Sequence, residues 1–486
     1  MANYDYDVII AGGGMSGLIT AAAIGVYSKQ KARILLVDRN PPTEPGKKTI
    51  NGWTCGDAVS KRSLDYISNN IGIKYSSPEL EHPVDGVLVL SPDHESKVLF
   101  EGEGFILNRK ILPKRQVEDA KKIGVEFAFN VTCDRLYSED GYVRGVIGRN
   151  NADGSVFKKT ARMVVDSAGS ATKLRPNLPI ESKIEKEIDR DDLESTGRYI
   201  FEFEQGENDL TWFDPKYAII HLDQYLAPGG YCWTFPKGRN KVNIGLGVQK
   251  KALDKRNQKY NRKDGLQDLI DQYVKANKVI KRPLDNSSES DSGNTKGAWQ
   301  VSVRRHNDCL VANGYVIVGD AAWMARPIDA GGIGPSIYAS VILGKVVAEA
   351  LEANDVSEAG LWKYNVEYMR HHGFQMASFE VLRRYLQTLP NEKISYGMKH
   401  FLSEEDVAQI VNREHPRFGK LKMLNPIMLS HVMKEPDLAK GLKYTADQSE
   451  RLIKHNMNYP EKPSGFEEWK KGLSSLLNET FVHLEI

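Results

Sequence analysis

The sequence predicts a mixed α/β fold, α+β overall: a Rossmann-like nucleotide-binding domain with an inserted antiparallel-sheet domain, followed by a helical C-terminal region. Three observations predict it. The chain begins with an apolar strand, a glycine-rich turn and a helix within residues 8–27. Its middle part contains short segments, such as Tyr199–Glu204, in which apolar and polar residues alternate. From Ser336 onward the pattern is mostly helical.

The composition is that of a globular protein without a strong charge bias. The 486 residues are 41% hydrophobic and 27% charged, enough for two or three domains. Lys+Arg number 66 and Asp+Glu 64, a formal charge of +2, whereas nucleic-acid-binding domains usually carry a basic excess. We therefore expect no nucleic-acid partner.

The cysteines and the hydropathy pattern indicate where in the cell the protein lies. The four cysteines are scattered without a Cys-x-x-Cys pair, so we expect no metal site and a reducing environment. The N-terminus lacks the features of a signal peptide. No stretch reaches the ~18 uninterrupted apolar residues that a membrane span needs. We therefore expect a cytoplasmic protein, in which any membrane contact is peripheral, at the inner face of the membrane.

The first element is a β-turn-α-β unit. Gly12 permits a tight turn, Gly14 lets the backbone approach a pyrophosphate, and Gly17 lets helix and strand pack closely. Asp38 ends the second strand about 20 residues later, where a ribose-binding carboxylate is expected. A glycine turn without a ligand is the alternative. The residues assigned to this half of a nucleotide site are Gly12, Gly14, Met15, Ser16, Gly17, Asp38 and Arg39.

A second glycine-rich segment follows the strand Tyr315–Val318. Asp320 lies at the carboxyl end of that strand, where ligands bind in open α/β sheets. The glycine cluster after it precedes a long helix whose N–H groups would stabilise a reduced flavin. Alone, the segment also fits an Asp N-cap with a turn. Together the two segments predict one FAD, and the second contributes Asp320, Gly331, Gly332, Ile333 and Gly334.

Other parts of the chain complete the predicted cofactor site. Arg109 precedes a helix and would pair with pyrophosphate, although a solvated basic cluster is the alternative. Cys55 and Gly56 lie in a polar loop that would approach the flavin. Val131 and Gly169, each after a predicted strand, are assigned to the same site.

By these motifs the chain resembles the flavoproteins of the p-hydroxybenzoate hydroxylase fold. Among them it is most similar to the geranylgeranyl reductases, including the archaeal enzymes of the digeranylgeranylglycerophospholipid reductase type. Their Pro-x-x-Tyr-x-Trp-x-Phe-Pro motif is complete here at Pro228–Pro236, and their loop cysteine before glycine is Cys55. Asp166–Gly169 with Arg175 matches a third family stretch, with Ser167 in place of alanine.

The resemblance implies an FAD-dependent reductase of C=C bonds in the geranylgeranyl chains of archaeal-type glycerophospholipids. A hydride would come from N5 of the reduced flavin, together with a proton, and the substrate would be an isoprenoid lipid. A monooxygenase or halogenase of the same fold, or an electron-transfer flavoprotein acting on quinone, is the alternative. Because Asp166 is followed by serine rather than by the glycine of the hydroxylases, a ferredoxin is favoured over NAD(P)H as the electron donor.

The segment Pro228–Pro236 supplies the predicted substrate residues. On a strand Tyr231, Trp233 and Phe235 share one face, and we assign all three to substrate binding. Protonation of one carbon of an isolated alkene, as a hydride arrives at the other, gives the transition state cationic character, which aromatic faces stabilise by roughly 0.5–2 kcal/mol each, so Tyr231 and Trp233 are also catalytic candidates. An aromatic core stripe is the alternative.

Cys55 is the third catalytic candidate. A thiol of reference pKa ~8.5 is a weak acid, so gating or placing the substrate remains open beside a proton relay, as does an inert loop cysteine.

The expected domains are a discontinuous FAD domain (1–80, 100–178 and 300–350), an antiparallel-sheet substrate domain (81–99 and 179–299) and a helical domain (351–486). Runs such as Lys420–Leu424 and Pro426–Leu429 mix basic and apolar residues and would touch an anionic membrane, although a helical cap on the substrate tunnel is favoured.

Overall fold

A computed structural model describes residues 4–49, 52–284, 296–402 and 426–486. Within these ranges the chain forms two β-sheets with helices around them. The strands are β1 Tyr6–Ala11, β2 Ile34–Val37, β3 Ala58–Ser60, β4 Leu80–Leu90, β5 Lys97–Leu107, β6 Glu126–Ala128, β7 Val131–Glu139, β8 Tyr142–Asn150, β9 Val156–Asp166, β10 Leu193–Gln205, β11 Tyr217–His221, β12 Cys232–Pro236, β13 Lys241–Gln249, β14 Ile280–Leu284, β15 Lys296–Ser302, β16 Val311–Ala312 and β17 Tyr315–Ile317.

The helices lie mainly at the start of the chain and after the last strand. They are α1 Met15–Tyr27, α2 Lys61–Ile71, α3 Leu112–Lys122, α4 Lys250–Lys259, α5 Leu266–Ala276, α6 Ile333–Glu352, α7 Glu358–Leu361, α8 Lys363–His371, α9 Met376–Thr388, α10 Asn391–His400, α11 Pro426–Lys434, α12 Pro436–Met457 and α13 Phe466–Leu484. The predicted helical C-terminal region is confirmed in the part of the chain that the structure describes.

The first sheet is the predicted Rossmann-like unit. Its strand order is β16-β17-β9-β1-β2-β6, with β7 and β8 joined through β9. Strand β1 runs parallel to both β2 and β9, and β17 runs parallel to β9. Ala11, Asp166 and Ile317 are therefore aligned at one edge. The two glycine segments follow these strands, so the topology brings them together at that edge.

The second sheet is mainly antiparallel, with the order β14-β10-β13-β12-β11-β4-β5-β3 and β15 paired with β10. Alternate residues of β13 point to opposite faces. Val242, Ile244, Leu246 and Val248 are buried in a hydrophobic core with α5. The residues between them, Asn243, Gly245 and Gly247, face the other way. That face is nearly free of β13 side chains.

Several predicted boundaries differ from the structure. The apolar run Val125–Asn130, which predicts a strand from the sequence, forms only the short β6, because Asn130 adopts a left-handed turn (φ 58°) and β7 then starts at Val131. Sequence analysis missed β7. The predicted domain limit at residue 100 falls inside β5, and β3, from the expected FAD domain, also pairs in the second sheet. The domain limits themselves stay a prediction.

Helix α6 is, among the described residues, the one helix long and apolar enough by composition to cross a membrane, and 83% of that stretch is buried inside the protein. It packs against α1. At that contact, a Cβ added to Gly344 would lie 2.2 Å from the Cβ of Ala23, closer than any real pair of such atoms. This burial indicates a core helix, which holds the glycine cluster before it against the first sheet.

Candidate active site

A cavity lies between the edge of the first sheet where the two glycine segments meet and residues of β10, β12 and β15 in the second sheet. Its wall includes most of the residues predicted for the site, brought together from distant parts of the chain. They are Gly12, Gly14, Met15, Ser16, Asp38, Arg39, Cys55, Gly56, Arg109, Val131, Gly169, Tyr231, Trp233, Phe235, Asp320, Gly332 and Ile333.

Three predicted residues do not line the cavity. Gly17 is buried in α1, Gly331 donates its N–H to Asp329 Oδ1 at 3.0 Å, and a Cβ on Gly334 would point at the Ser63 hydroxyl, 3.2 Å away. Their contribution is to the packing and shape of the two glycine segments. The ligand roles of the lining residues remain predictions.

The geometry of the first glycine turn explains its glycines. Gly12 has a φ of +111°, which side chains disfavour. A Cβ on Gly17 would meet the Gly12 carbonyl oxygen at 2.0 Å, whereas one on Gly14 would meet no heavy atom of the described residues within 4 Å. The Ser167 hydroxyl donates to the Gly12 carbonyl at 2.9 Å. Gly17 therefore maintains the packing, and Gly14 leaves room on the cavity side.

The carboxylate of Asp38 is fully engaged by its own chain. It accepts hydrogen bonds from the N–H groups of Gly13 (2.7 Å), Gly46 (2.9 Å) and Asn40 (2.7 Å), and from the Asn40 side chain (2.9 Å). Burial raises its pKa, and these hydrogen bonds oppose that shift. Asp38 thus ties the glycine turn to the loop after β2, and a bound ribose would have to share this carboxylate.

Lys48 is a cavity residue that sequence analysis missed. Its ammonium lies 3.1 Å from Asp320 Oδ2, and both side chains line the cavity. The pair connects the loop after β2 to the second glycine segment, 272 residues away. The signal in the sequence was the basic pair Lys47-Lys48, which lies in a loop without regular periodicity.

Arg109 gives the clearest sign that the cavity fits a dinucleotide. The side chain is buried and lines the cavity, and its Nε has no hydrogen-bond partner among the described residues. A buried guanidinium nitrogen without a hydrogen-bond partner is unfavourable unless an anion accepts from it. A pyrophosphate beside the open side of Gly14 would supply that anion, so the residues present fit FAD.

The aromatic row of β12 adjoins this cofactor region. Trp233 and Phe235 of β12, and Tyr231 immediately before this strand, lie on the cavity wall, with ring centroids 6.2 Å apart in each neighbouring pair. Cys232 points into the opposite core, which confirms the predicted alternation. A Cβ on Gly245 would lie 2.5 Å from Trp233 Cζ2. The indole therefore lies over a strand segment that has no side chain.

Polar groups hold this row in place. The Trp233 indole N–H donates to Asn243 Oδ1 at 3.0 Å, and the Asn243 amide donates to the carbonyl of Cys55 at 2.8 Å and to Asp57 Oδ2 at 3.0 Å. The hydroxyl of Tyr231 donates to the Asp329 carbonyl. One asparagine thus connects the indole to the Cys55 loop.

Cys55 lies at the meeting point of both regions. Burial, and then the charge of Asp57, raises the pKa of its thiol, so the thiol stays protonated at neutral pH. The Asp57 N–H donates to Cys55 Sγ at 3.3 Å. Asp57 in turn lies 3.5 Å from the buried ammonium of Lys237, which also contacts Glu81 at 2.7 Å. The loop is therefore fixed by buried charges.

Comparisons with known proteins concern the family and the fold of the chain. Residues 192–283 match the family model described as "Geranylgeranyl reductase catalytic domain". The segment contains β10 to β13, and two of these strands, β10 and β12, contribute residues to the cavity wall.

Two full-length relatives carry the same name, digeranylgeranylglycerophospholipid reductase. The protein of Sulfolobus acidocaldarius is 31% identical over 484 residues, 99% of both chains. That of Methanothrix thermoacetophila is 26% identical over 428 residues, 87% of this chain and 97% of its own.

Solved structures show the same fold. A geranylgeranyl bacteriochlorophyll reductase-like protein of Thermoplasma acidophilum superposes with a TM-score of 0.69 at 21% identity, covering 90% of this chain and 99% of its own. A myxobacterial FAD-dependent chondrochloren halogenase gives 0.63 at 16% identity, covering 88% and 96%. Because the Sulfolobus relative matches nearly all of both chains, this chain belongs to the geranylgeranyl reductase family.

Proposed function

We propose that this protein is an FAD-dependent reductase that saturates C=C bonds in the geranylgeranyl chains of archaeal-type glycerophospholipids. The observation that carries the proposal is the continuity of the cavity, which runs from the glycine turn and Arg109 to the aromatic row of β12. A dinucleotide and an apolar chain would meet there. The names of the two relatives, both digeranylgeranylglycerophospholipid reductases, support the lipid substrate.

Different residues of the chain would bind different parts of the cofactor. Arg109 and the N–H groups at the start of α1 would hold the pyrophosphate. Lys48 and Asp320 would lie beside the polar part of the cofactor. When bound and reduced, the flavin supplies a hydride.

The aromatic row would hold the isoprenoid chain and exclude water from it. As one carbon of a trisubstituted alkene is protonated, positive charge grows on the other carbon, which then takes the hydride, and the faces of Tyr231 and Trp233 would stabilise that charge. Asn243 keeps the indole plane fixed, so little reorganisation accompanies the reaction. The protonated thiol of Cys55 would border the chain rather than act as a strong acid.

The halogenase with the same fold shows that the fold alone does not determine which reaction is catalysed. The family and the aromatic row favour a reductase over an oxygen-activating enzyme or a quinone-linked electron carrier. A protein donor such as a ferredoxin is proposed over NAD(P)H. Stopped-flow reduction by each donor decides between them.

Contact with the membrane surface from the cytoplasmic side is part of the proposal. Leu429 and Met433, one helical turn apart on α11, are 51% and 75% exposed, and Lys434 follows them. Lys420–Leu424, the other run predicted to touch lipid, lies outside the described residues. Vesicles of anionic lipid should retain the wild type, and a Leu429→Glu, Met433→Glu double variant should bind them less.

The proposed function is tested by releasing and identifying the bound cofactor, and then by anaerobic reduction of the protein. A lipid with geranylgeranyl chains should reoxidise the flavin in the absence of oxygen, and a saturated lipid of the same head group should not. Reoxidation by oxygen alone would contradict the proposal.

A further inference from the structure

A carboxyl group lies on the same sheet face as the aromatic row. On a strand every second side chain points to the same face, so Glu194, Thr196 and Arg198 of β10 share the face on the cavity side. Thr196 lines the cavity, and so does Val301, the residue directly opposite Glu194 on β15. Glu194 is therefore flanked, along its strand and across it, by two residues of the cavity wall.

Two glycines leave the space that this carboxyl occupies. A Cβ on Gly247 would lie 3.1 Å from Glu194 Oε2, and one on Gly230 would lie 3.5 Å from the same atom. Gly230 immediately precedes Tyr231. The carboxyl thus lies at the Tyr231 end of the aromatic row, over a part of the sheet without side chains.

The surroundings of Glu194 favour the neutral acid. The residue is 4% exposed, and no described Lys, Arg or His nitrogen lies within 4.0 Å of it. From α9, Gln387 donates to Oε1 at 3.4 Å, while the guanidinium group of Arg383 is held by Asp192 at 2.8 Å. Burial raises the pKa of Glu194 to about 7, with Arg383 opposing the shift. The phenol of Tyr231 is the other titratable group nearby.

The other candidate proton donors around the cavity are less suited. The pKa of the Cys55 thiol is raised by burial, and that of the Tyr231 phenol is raised well above its ordinary value for the same reason. The Tyr231 proton is also engaged by the Asp329 carbonyl. Asp57 is paired with the Lys237 ammonium. Glu194 remains as a carboxylic acid that holds a proton near neutral pH.

We propose that Glu194 is the general acid of the reduction, an inference that rests on the proposed function. Its O–H bond breaks as the π electrons of the alkene form a new C–H bond. The hydride delivered in the proposed reaction forms the second C–H bond at the other carbon. The carboxylate left on Glu194 regains a proton from water before the next double bond is reduced.

Glu194→Gln tests this inference, because the amide keeps the shape and hydrogen-bonding capacity but cannot donate an acidic proton. Glu202→Gln, the same change at an exposed position of β10, is the matched control. Anaerobic reoxidation of the reduced protein by the geranylgeranyl lipid should slow by roughly 100-fold or more in Glu194→Gln. The wild-type rate should fall as the pH rises above about 7, and Glu194→Gln should lack that fall.

A second measurement needs neither lipid nor turnover. A buried carboxyl with a raised pKa stabilises the folded protein while it is protonated, and that stabilisation is lost as the pH rises. Between pH 4.5 and about 7, the melting temperature of the wild type should therefore fall relative to that of Glu194→Gln.

The outcomes separate the two levels of the proposal. If Glu194→Gln reacts at the wild-type rate with the wild-type pH profile, Glu194 is not the general acid. If the variant is slow but keeps the wild-type pH profile and loses stability equally at every pH, the role of Glu194 is structural, and the proposal is also overturned. A wild type that the lipid fails to reoxidise would overturn the proposed function, and the inference with it.

Discussion

The indole N–H of Trp233 donates to Asn243 Oδ1 at 3.0 Å, across two neighbouring strands. The same asparagine binds the Cys55 carbonyl and Asp57. A single neutral side chain therefore sets the plane of the central aromatic ring and the position of the cysteine loop.

Replacing Trp233 with leucine should slow reduction of the lipid by about 2- to 30-fold, because the ring's stabilisation of roughly 0.5–2 kcal/mol is lost. Asn243→Leu should also slow it, since the indole and the Cys55 loop lose their common anchor. Flavin content should stay unchanged in Trp233→Leu. Single-turnover reoxidation measures both effects, and equal rates in wild type and Trp233→Leu would exclude a role for the ring in the chemical step.

The two glycines of the first turn should respond differently to alanine. Gly17→Ala should destabilise the protein itself, because its Cβ would lie 2.0 Å from the Gly12 carbonyl oxygen. Gly14→Ala should leave the fold intact and weaken FAD binding, because its Cβ points to the cavity side. Thermal unfolding and flavin titration of both variants check this, and identical behaviour of the two would be inconsistent with the assigned roles.

Arg109→Met should weaken FAD binding by roughly 10- to 100-fold, the loss expected when a charge-assisted hydrogen bond is removed. The cofactor-free variant should be at least as stable as the cofactor-free wild type, because a buried Nε without a partner is removed. Flavin affinity and apo-protein melting temperatures provide the two readouts. A variant that binds FAD normally would show that the guanidinium group faces no phosphate.

Lys48→Met should weaken the link between the two glycine segments by about 0.5–1 kcal/mol, the value typical of a partly exposed ion pair. Added salt should lower the free energy of unfolding that the pair contributes in the wild type, because salt screens the two charges, and Lys48→Met should show no such loss. Stability measured at low and high ionic strength for wild type, Lys48→Met and Asp320→Asn tests the pair. Additive effects in the double variant would contradict a direct interaction.

The buried ion pairs that join the helical region to the sheets predict acid lability. Asp308 and Glu380 both contact Arg305 at about 3 Å, and the nearby arginines hold the pKa of each carboxyl at about 2, against the opposing effect of burial. A carboxyl whose pKa is lowered in the folded protein stabilises the fold at pH values above its ordinary pKa, and this stabilisation is lost as the pH falls through the folded-state pKa. Melting temperatures should therefore drop steeply between pH 4.5 and about 2, and less so in Glu380→Gln.

Much of the fold and cofactor edge followed from short-range patterns. Gly12, Gly17 and Asp38 are spaced by the geometry of one strand-turn-helix-strand unit, so sequence alone predicts their places. The aromatic alternation at Tyr231–Phe235 likewise follows from the pleat of a strand. These features depend on neighbours along the chain.

The missed features depend on long-range pairing. Lys48 meets Asp320 only because three parallel strands end at one edge, and Glu194 approaches Tyr231 only because β13 carries glycines between their strands. Neither residue has a periodic signal of its own. The end of β6 and the start of β7 were predicted wrongly, because the left-handed Asn130 interrupts a run of strand-forming residues that otherwise continues.

The most direct test of the reductase assignment is a single-turnover mass measurement. Anaerobic, flavin-reduced protein is mixed with a geranylgeranyl glycerophospholipid in the absence of other reductants, and the lipid mass and the oxidised flavin are quantified together. Each flavin that is oxidised should saturate one C=C bond and add two hydrogens to the lipid. Oxidised flavin without any gain in lipid mass, or no oxidation at all, would contradict it.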